Sequence, residues 1–405
     1  MTAEEPGGGA GVLAVSEAGP AELATWDAAT VEPPGGHVYQ SRAWAAYRAA
    51  FGWRPRFLVL SDGGRVLALE RPWPLVGGAS AYVSRGPAPV TAPAPVLAAR
   101  LAAATAHLAG RGVDVIAADA EVEAATGYAG LLSAAGFGPI EELQPSRHRM
   151  DLRVGPGADE SAVLRAFSAT HRNLVRSAER QGLAVLRLDL AAGTAGTPDG
   201  GDSGGEGAGV GVGNGGSGRD PGEGFVGPGA SPADRAAAVI DRLHALVRAA
   251  GERRHFAVGT APAFRDWSLR ALAAGHLVLL ECRTAEGEPV ASAAFYRHGE
   301  RLTYALAGDR VEHRRAHPGA VRLLVWRAIQ LALREGRPLV DLGGVDVPGA
   351  RRVPLPGEAA HGMLQFKAGF GAEWVELAGA HERVIRPGRY AIGRVAARVA
   401  RGLGR

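Results

Sequence analysis

A four-residue phrase occurs twice in this chain, as Ala135-Gly136-Phe137-Gly138 and as Ala368-Gly369-Phe370-Gly371. It falls in the same slot of two longer patterns. Residues 41–152 and 232–385 each read as helix, strand hairpin, further strand, long helix, short strand, short helix and strand. A repeated order of elements constrains the chain to repeat one supersecondary unit, because each copy must bury the same faces. In the first copy Trp44, Tyr47 and Phe51 recur at helical spacing over 43–51, behind Ser41 as a candidate N-cap. Strands at 56–60 and 65–70 flank Asp62-Gly63-Gly64, a hairpin signal. A strand at 79–84, an Ala/Leu-rich helix at 94–109, a buried strand at 113–117, a helix at 128–135 and a strand at 147–152 complete it. The second copy has helices at 232–250 and 261–274, strands at 277–283, 290–297 and 301–307, and a long helix at 319–335. A strand from 338 runs into Gly343-Gly344. A short helix at 363–368 and a strand region at 374–385 follow. Between the copies lie a helix expected over 158–180 and a strand at 183–188.

Residues 191–232 are dominated by Gly, with Ser, Pro and Asp, and hold almost no large apolar residue. Such a tract cannot bury enough apolar surface to offset its ordering entropy, so it is expected as a disordered insertion without chemical role. Residues 1–11 read as a disordered leader. The expected division is therefore 12–152 for one domain, 153–190 with 233–385 for the other, and a basic helix over 386–405. The start, MTAEEPGGGAG, lacks the basic and apolar regions of a signal peptide, and no run approaches the ~20 apolar residues of a membrane helix. One cysteine, Cys282, excludes an intramolecular disulfide framework and lies in an apolar run, as a buried thiol would. A cytoplasmic protein is expected. The net charge of +4 permits a polyanionic partner without requiring one.

Lys367 is the only lysine among 45 Lys and Arg residues. Lysine differs from arginine in being a compact charge whose pKa responds to its surroundings. A strand ending in a Gly pair lets backbone approach a ligand closely, so Asp341, Gly343, Gly344 and Lys367 can face one cleft. A loop-capping role for Asp341 and a surface position for Lys367 are the plain alternatives. The first copy has Ala134 in the slot of Lys367, and no Gly pair follows its Val113-Asp114-Val115. The scaffold is doubled while the lysine and the Gly-Gly turn occur once. This fits chemistry in the second copy and a first copy that shapes the cleft. No H-E-x-x-H, cysteine cluster or zinc spacing is present, so no metal or other cofactor is expected. His171, His313 and His317 read as surface or capping residues.

Five phrases in order resemble a known family: Gln40-Ser41-Arg42-Ala43-Trp44, Tyr82-Val83-Ser84-Arg85-Gly86-Pro87, the Arg172–Arg180 segment, Asp341-Leu342-Gly343-Gly344, and Phe366-Lys367-Ala368-Gly369-Phe370-Gly371. The element order resembles the GNAT acyltransferase fold. Its doubled form resembles the FemABX family of aminoacyl-tRNA-dependent peptidyltransferases, over about 38–190 and 233–390. The resemblance implies an α/β (α+β) protein of two tandem GNAT-like domains, with mixed central sheets flanked by helices. The segment 247–276 is too short for the coiled-coil arm of some relatives. The resemblance implies transfer of an amino acid from aminoacyl-tRNA to the amine of a peptidoglycan precursor, a lipid-linked or UDP-linked muropeptide. By analogy Lys367 would stabilise charge at the reacting ester, with Asp341 as its candidate catalytic companion. Arg48 and Arg176 would hold precursor phosphates. Arg85, Arg172, Tyr304, Gly343, Gly344, Phe366 and Phe370 are further candidate substrate-binding residues. The Arg172–Arg180 segment departs from the family pattern: Asn173 stands one place early and Leu174 fills the usual Asn slot.

Attack of an amine on an ester passes through a tetrahedral oxyanion, which a fixed cation or N–H donors stabilise, and positioning supplies much of the remaining barrier reduction. An acyl-CoA N-acyltransferase or a small-molecule aminoacyltransferase on the same scaffold is the competing reading. Arg314-Arg315-Ala316-His317-Pro318-Gly319-Ala320 is then the segment that would cradle a CoA pyrophosphate at a helix N-terminus. The C-terminal helix carries Arg389, Arg394, Arg398, Arg401 and Arg405, interleaved with Tyr390, Ile392, Val395, Val399 and Leu403. Such a helix can lie on an anionic membrane face, contact tRNA phosphates, or pack as an ordinary solvated face.

Overall fold

The computed structural model describes residues 13–144, 147–155, 157–189, 232–254, 256–345 and 352–403. The expected leader, and the expected insertion up to residue 231, lie outside the described residues. The chain forms two compact units. The first comprises the chain to Val31, Gly35–Leu143 and Ala378 onward; the second comprises Gln144–Leu377 with Glu32–Pro34.

The first unit holds a seven-stranded mixed sheet. Its order is Val15–Glu17, Arg54–Leu60, Arg65–Pro72, Ala79–Val83, Val113–Ala118, His381–Val384 and Gly138–Pro139. All neighbours are antiparallel except Ala79–Val83 and Val113–Ala118. That parallel pair needs a crossover, which the helix Ala94–Gly110 supplies. Leu97, Leu101 and Leu108 of this helix are fully buried. The hairpin turns where Asp62 Oδ1 accepts the Gly64 N–H at 2.9 Å and Gly63 takes φ +81°. Ser41 caps the helix Arg42–Ala50 by accepting the Trp44 N–H at 2.9 Å.

The second unit repeats the plan. Its order is Glu373–Glu376, His148–Arg153, Leu339–Asp341, Arg301–Asp309, Pro289–His298, Leu277–Arg283 and Ala184–Leu188. Arg301–Asp309 and Leu339–Asp341 are its parallel pair, joined by the helix Ala320–Arg334. Phe167, Phe295, Trp326 and Phe370 are buried in its core, with Phe167 edge-on to Trp326 and Phe370. Pro232–Arg254 and Ala261–Ala273 are helices that bury Ile240, Leu243, Trp267 and Leu272. Cys282 is fully buried, and burial pushes its thiol up to about 12.

Strand membership differs from the sequence-based division in two respects. His148–Arg153 was expected to close the first copy, yet it pairs in the second sheet with Leu339–Asp341 and Glu373–Glu376. The expected strand region 374–385 divides in turn. Glu373–Glu376 stays in the second sheet, Gly379 takes φ +81°, and His381–Val384 joins the first. Alternation along a strand records how its two faces are buried; it carries no information on which sheet offers the partner edge. The helix expected over 158–180 is also two helices, Glu160–Ala166 and Ala169–Arg180. Ser168 starts the second as its N-cap, and Phe167 drops into the core at the break.

The repeated Ala-Gly-Phe-Gly phrase ends a helix in both units and buries its Phe in both. Its glycines serve differently. Gly136 takes φ +83°, as a helix terminator does. Gly369 stays in the right-handed region, and a Cβ there would lie 2.2 Å from the His171 ring. One glycine is required by conformation and the other by close approach.

Candidate functional site

The site is built at the end of the buried strand Leu339–Asp341. Asp341 is 2% exposed; its Oδ1 accepts the Gly343 N–H at 2.7 Å, and its Oδ2 accepts from Thr303 Oγ1 at 3.3 Å. Thr303 in turn meets His298 Nε2 at 3.0 Å. Gly343 takes φ +74°, which lets the chain reverse immediately after the strand. Asp341 therefore acts on the turn through its backbone, in the manner of the loop-capping alternative.

The strand His148–Arg153 fixes the other side of this turn. Met150 N–H donates to Gly343 O at 3.2 Å, Leu342 N–H donates to Met150 O at 2.8 Å, and Val345 N–H donates to His148 Nε2 at 2.6 Å. His148 is held by stacking on Trp374 at 3.7 Å. Asp341 stands directly opposite Asp151, so the two carboxylates share a face of the sheet. Arg149 Nε donates to both Asp151 oxygens at 2.9 Å, which offsets the charge of that neighbour.

Lys367 enters from the helix His361–Ala368 and is 4% exposed. Its Nζ donates to the Gly344 carbonyl. A Cβ at Gly343 would stand 3.6 Å from Nζ and 3.3 Å from the Tyr304 carbonyl. The turn thus comes against the ammonium with no side chain between them. Burying an ammonium costs several kcal/mol unless partners satisfy it, so a lysine in this position is built in rather than left over. The surface alternative for Lys367 is corrected accordingly.

The Lys367 helix is anchored by residues that sequence reading placed elsewhere. His171 was expected as a surface or capping residue, yet it is buried. Its Nε2 meets Phe366 O at 2.9 Å and its Nδ1 meets Ser168 Oγ at 3.0 Å. Burial, and then Arg322, hold the imidazole pKa below its ordinary value. A neutral ring with its proton on Nε2 satisfies both contacts. Ser168 N–H donates to Gly369 O at 2.8 Å, and Phe370 packs edge-on against both Phe366 and His171. The guanidinium of Arg322 lies 5.3 Å from the Phe366 ring centre. The signal for His171 was its phase: Val175 and Ala178 follow it on one helix face, and both are buried.

The remaining candidates separate by unit. Arg172 Nη1 donates to Arg165 O at 2.7 Å and to Phe167 O, so it closes the helix Glu160–Ala166. Arg176 is exposed on the same helix. Tyr304 is half-buried and edge-on to Phe295. Arg48 and Arg85 belong to the first unit. Arg48 lies 5.3 Å from the Trp44 ring centre and 4.6 Å from that of Trp53, and Arg71 lies 5.4 Å from Trp53. Burial lowers the Arg48 pKa, and its Nε has no hydrogen-bond partner among the described residues. Arg85 is different. Burial works against its charge, but Asp119 and Glu121 outweigh it and hold the guanidinium above its ordinary range. Arg85 N–H donates to Asp119 Oδ1 at 2.6 Å, and Arg85 Nε stands 3.6 Å from Glu121.

The segment Arg314–Ala320 does open the helix Ala320–Arg334. Arg314 is held by both Asp309 oxygens, at 2.7 and 2.6 Å. A Cβ at Gly319 would stand 2.2 Å from the Leu174 carbonyl, so the backbone of the helix Ala169–Arg180 packs closely against Gly319.

Two mixed sheets, each with a parallel pair bridged by a helix, define a tandem GNAT fold. Residues 223–352 match the family model for the acetyltransferase (GNAT) domain. No curated protein matches the chain. Among solved structures, the chain is similar to FemX at 17% identity and a TM-score of 0.69, over 94% of this chain and 99% of that one. It is also similar to a conserved protein of unknown function from Bacteroides thetaiotaomicron VPI-5482, at 11% identity and a TM-score of 0.50, over 91% and 98%. L-PGS from Bacillus licheniformis is similar at 10% identity and a TM-score of 0.48, over 94% and 98%. The fold is thus the FemABX-type tandem GNAT fold. No helix among the described residues is long and apolar enough to cross a membrane.

Proposed function

We propose that this chain is an acyltransferase that moves an amino acid from aminoacyl-tRNA to the amine of a peptidoglycan-precursor stem peptide. The observation that carries the reading is the buried Lys367 ammonium, held against the Gly343-Gly344 turn in a chain with the fold of FemX. The acceptor amine attacks the ester carbonyl; a C–N bond forms, the ester C–O bond breaks, and the ribose hydroxyl leaves with the proton released by the amine. The Lys367 ammonium stabilises the negative oxygen of the tetrahedral intermediate. Asp341 is a positioning residue: through the Gly343 N–H it sets the turn that receives the ammonium. Arg48, stacked on two tryptophans, is suited to a precursor phosphate, since its cation is partly desolvated already. Arg176, exposed in the second unit, is assigned on its own to a phosphate contact. Arg85 and Arg172 are bound within the protein, and we assign them to shaping the scaffold around substrate.

The test is an incubation with charged tRNA, acetyl-CoA and a UDP-linked or lipid-linked muropeptide, with the product weighed by mass spectrometry. Aminoacyl addition to the stem peptide is expected. Transfer from acetyl-CoA alone would overturn the reading.

A further inference from the structure

Among the described side chains of the helix Pro387–Leu403, those at least half-buried are Tyr390, Gly393, Ala396 and Ala397, which fall on one side of it. Gly393 lies against Trp73, where a Cβ would stand 2.4 Å from the indole, while Ala396 and Ala397 are half-buried. Arg389 Nε donates to Asp114 Oδ1 at 3.0 Å, and Arg386 donates to the Val113 and Ala109 carbonyls at 2.9 Å. The start of the helix is therefore tied firmly to the first unit by small residues and two arginines. Its outward half carries an apolar stripe, Ile392, Val395 and Val399, exposed to 57%, 59% and 52%. A basic stripe, Arg394 and Arg398, runs beside it. No Asp or Glu occurs from Pro387 to the last residue. Trp73, which receives Gly393, also opens the hairpin turn that carries Leu75, 96% exposed, and the exposed Val76.

We propose that this face is a peripheral docking surface for an anionic lipid bilayer. A docked helix that spends glycine and alanine on the protein and turns three β-branched apolar residues outward leaves that surface for another apolar phase. Arginines alongside the stripe, with no acid to oppose them, match anionic headgroups. A polyanionic RNA would use the arginines but would gain nothing from Ile392, Val395 and Val399. A second copy of the chain would bring the same arginine stripe against itself. Ile392 and Val399 would enter the headgroup–acyl boundary, with Leu75 as a second contact from the same unit. The inference stands on this surface alone and is independent of the acyl-transfer reading.

The full chain, mixed with phosphatidylcholine vesicles with and without phosphatidylglycerol, tests it by co-sedimentation. Binding to the anionic vesicles is expected, weak binding to the neutral ones, and release as salt screens the headgroups. Ile392→Ser, Val395→Ser and Val399→Ser together should lower partitioning about tenfold or more, and Leu75→Ser by less. Transfer to a soluble acceptor should be unchanged in the triple variant, so failure here and failure of the proposed activity read out separately. Absence of binding to anionic vesicles at low salt would overturn the proposal, as would full binding by the triple variant. A solution dimer that the triple variant abolishes would assign the stripe to a second copy and overturn it equally.

Discussion

In both units an aspartate stands at the end of the parallel strand, and the two are put to different use. Asp119, after Val113–Ala118, accepts from the Tyr82 hydroxyl at 2.7 Å and from the Arg85 N–H, and it pairs with the Arg85 guanidinium, which Glu121 also approaches. The cation beside that strand is matched by two acids. Asp341, at the end of Leu339–Asp341, accepts from the Gly343 N–H and from Thr303 Oγ1, and Lys367 donates to the Gly344 carbonyl. The helix that follows shows the same contrast: Ala134 is exposed, whereas Lys367 in the matching slot is buried. One copy closes its strand end with an internal ion network. The other presents an ammonium at a side-chain-free turn. Duplication supplies a scaffold twice, and the reaction proposed above is assigned to the copy whose Gly-Gly turn meets the buried lysine.

The strongest way to break this contrast is Lys367→Met, which keeps the bulk and removes the charge. Turnover should fall about 100-fold or more, the effect of removing an oxyanion donor, with the circular dichroism spectrum retained. Undiminished kcat in a folded variant would remove the assigned role. Asp119→Asn sharpens the other side. It leaves Arg85 buried with one acid fewer, and removing one partner of a buried ion pair costs about 3–5 kcal/mol. Denaturant melts should show that loss, while turnover per folded molecule stays near wild type. A variant that is stable but inactive would mean the first unit's network also serves the reaction.

Much of this was legible because it is local. Helical spacing at Trp44, Tyr47 and Phe51, the Asp62-Gly63-Gly64 turn, and the strand running into Gly343-Gly344 are set by neighbours in sequence, and each stands where expected. Lys367 was conspicuous as a single lysine, although its burial depends on the turn and helix that meet only after folding. What sequence could not show was long-range choice. His148–Arg153 looks like any buried strand, yet its pairing with Leu339–Asp341 is what pins the Gly343-Gly344 turn. The break at Ser168 was masked by continuous helical residues on both sides, because a serine is an N-cap only once the chain before it leaves the helix. His171 illustrates the same point: its ring is buried because Gly369 leaves room for it, from a distant part of the chain.

A smaller effect probes the turn itself. Gly343→Ala puts a side chain into φ +74° and sets its Cβ 3.3 Å from the Tyr304 carbonyl and 3.6 Å from Lys367 Nζ. A stability loss of about 1–2 kcal/mol is expected from the strained φ alone. Turnover should fall further than stability explains, since the methyl group stands beside the ammonium; a loss in melting temperature with unchanged kcat would show that the turn is structural only.

The least effect expected is in the pH dependence of stability, and it tests how the Lys367 helix is held. His171 is kept neutral in the folded chain, its pKa lowered first by burial and then by Arg322, from an ordinary value of 6.5. Between the lowered value and 6.5 the unfolded chain binds the proton more readily than the folded one. Stability therefore falls as pH drops through that window, and is insensitive to this group above it. Protonation would also cost the ring its acceptor toward Ser168 Oγ, while the Nε2 contact to Phe366 O survives in either state. His171→Gln keeps a donor for the Phe366 carbonyl without titrating near neutrality. Its denaturant midpoint should therefore change less between neutral and mildly acidic pH than that of the wild type. An equal slope in both proteins would place the titration elsewhere and leave the helix anchored by packing of Phe366 and Phe370 instead.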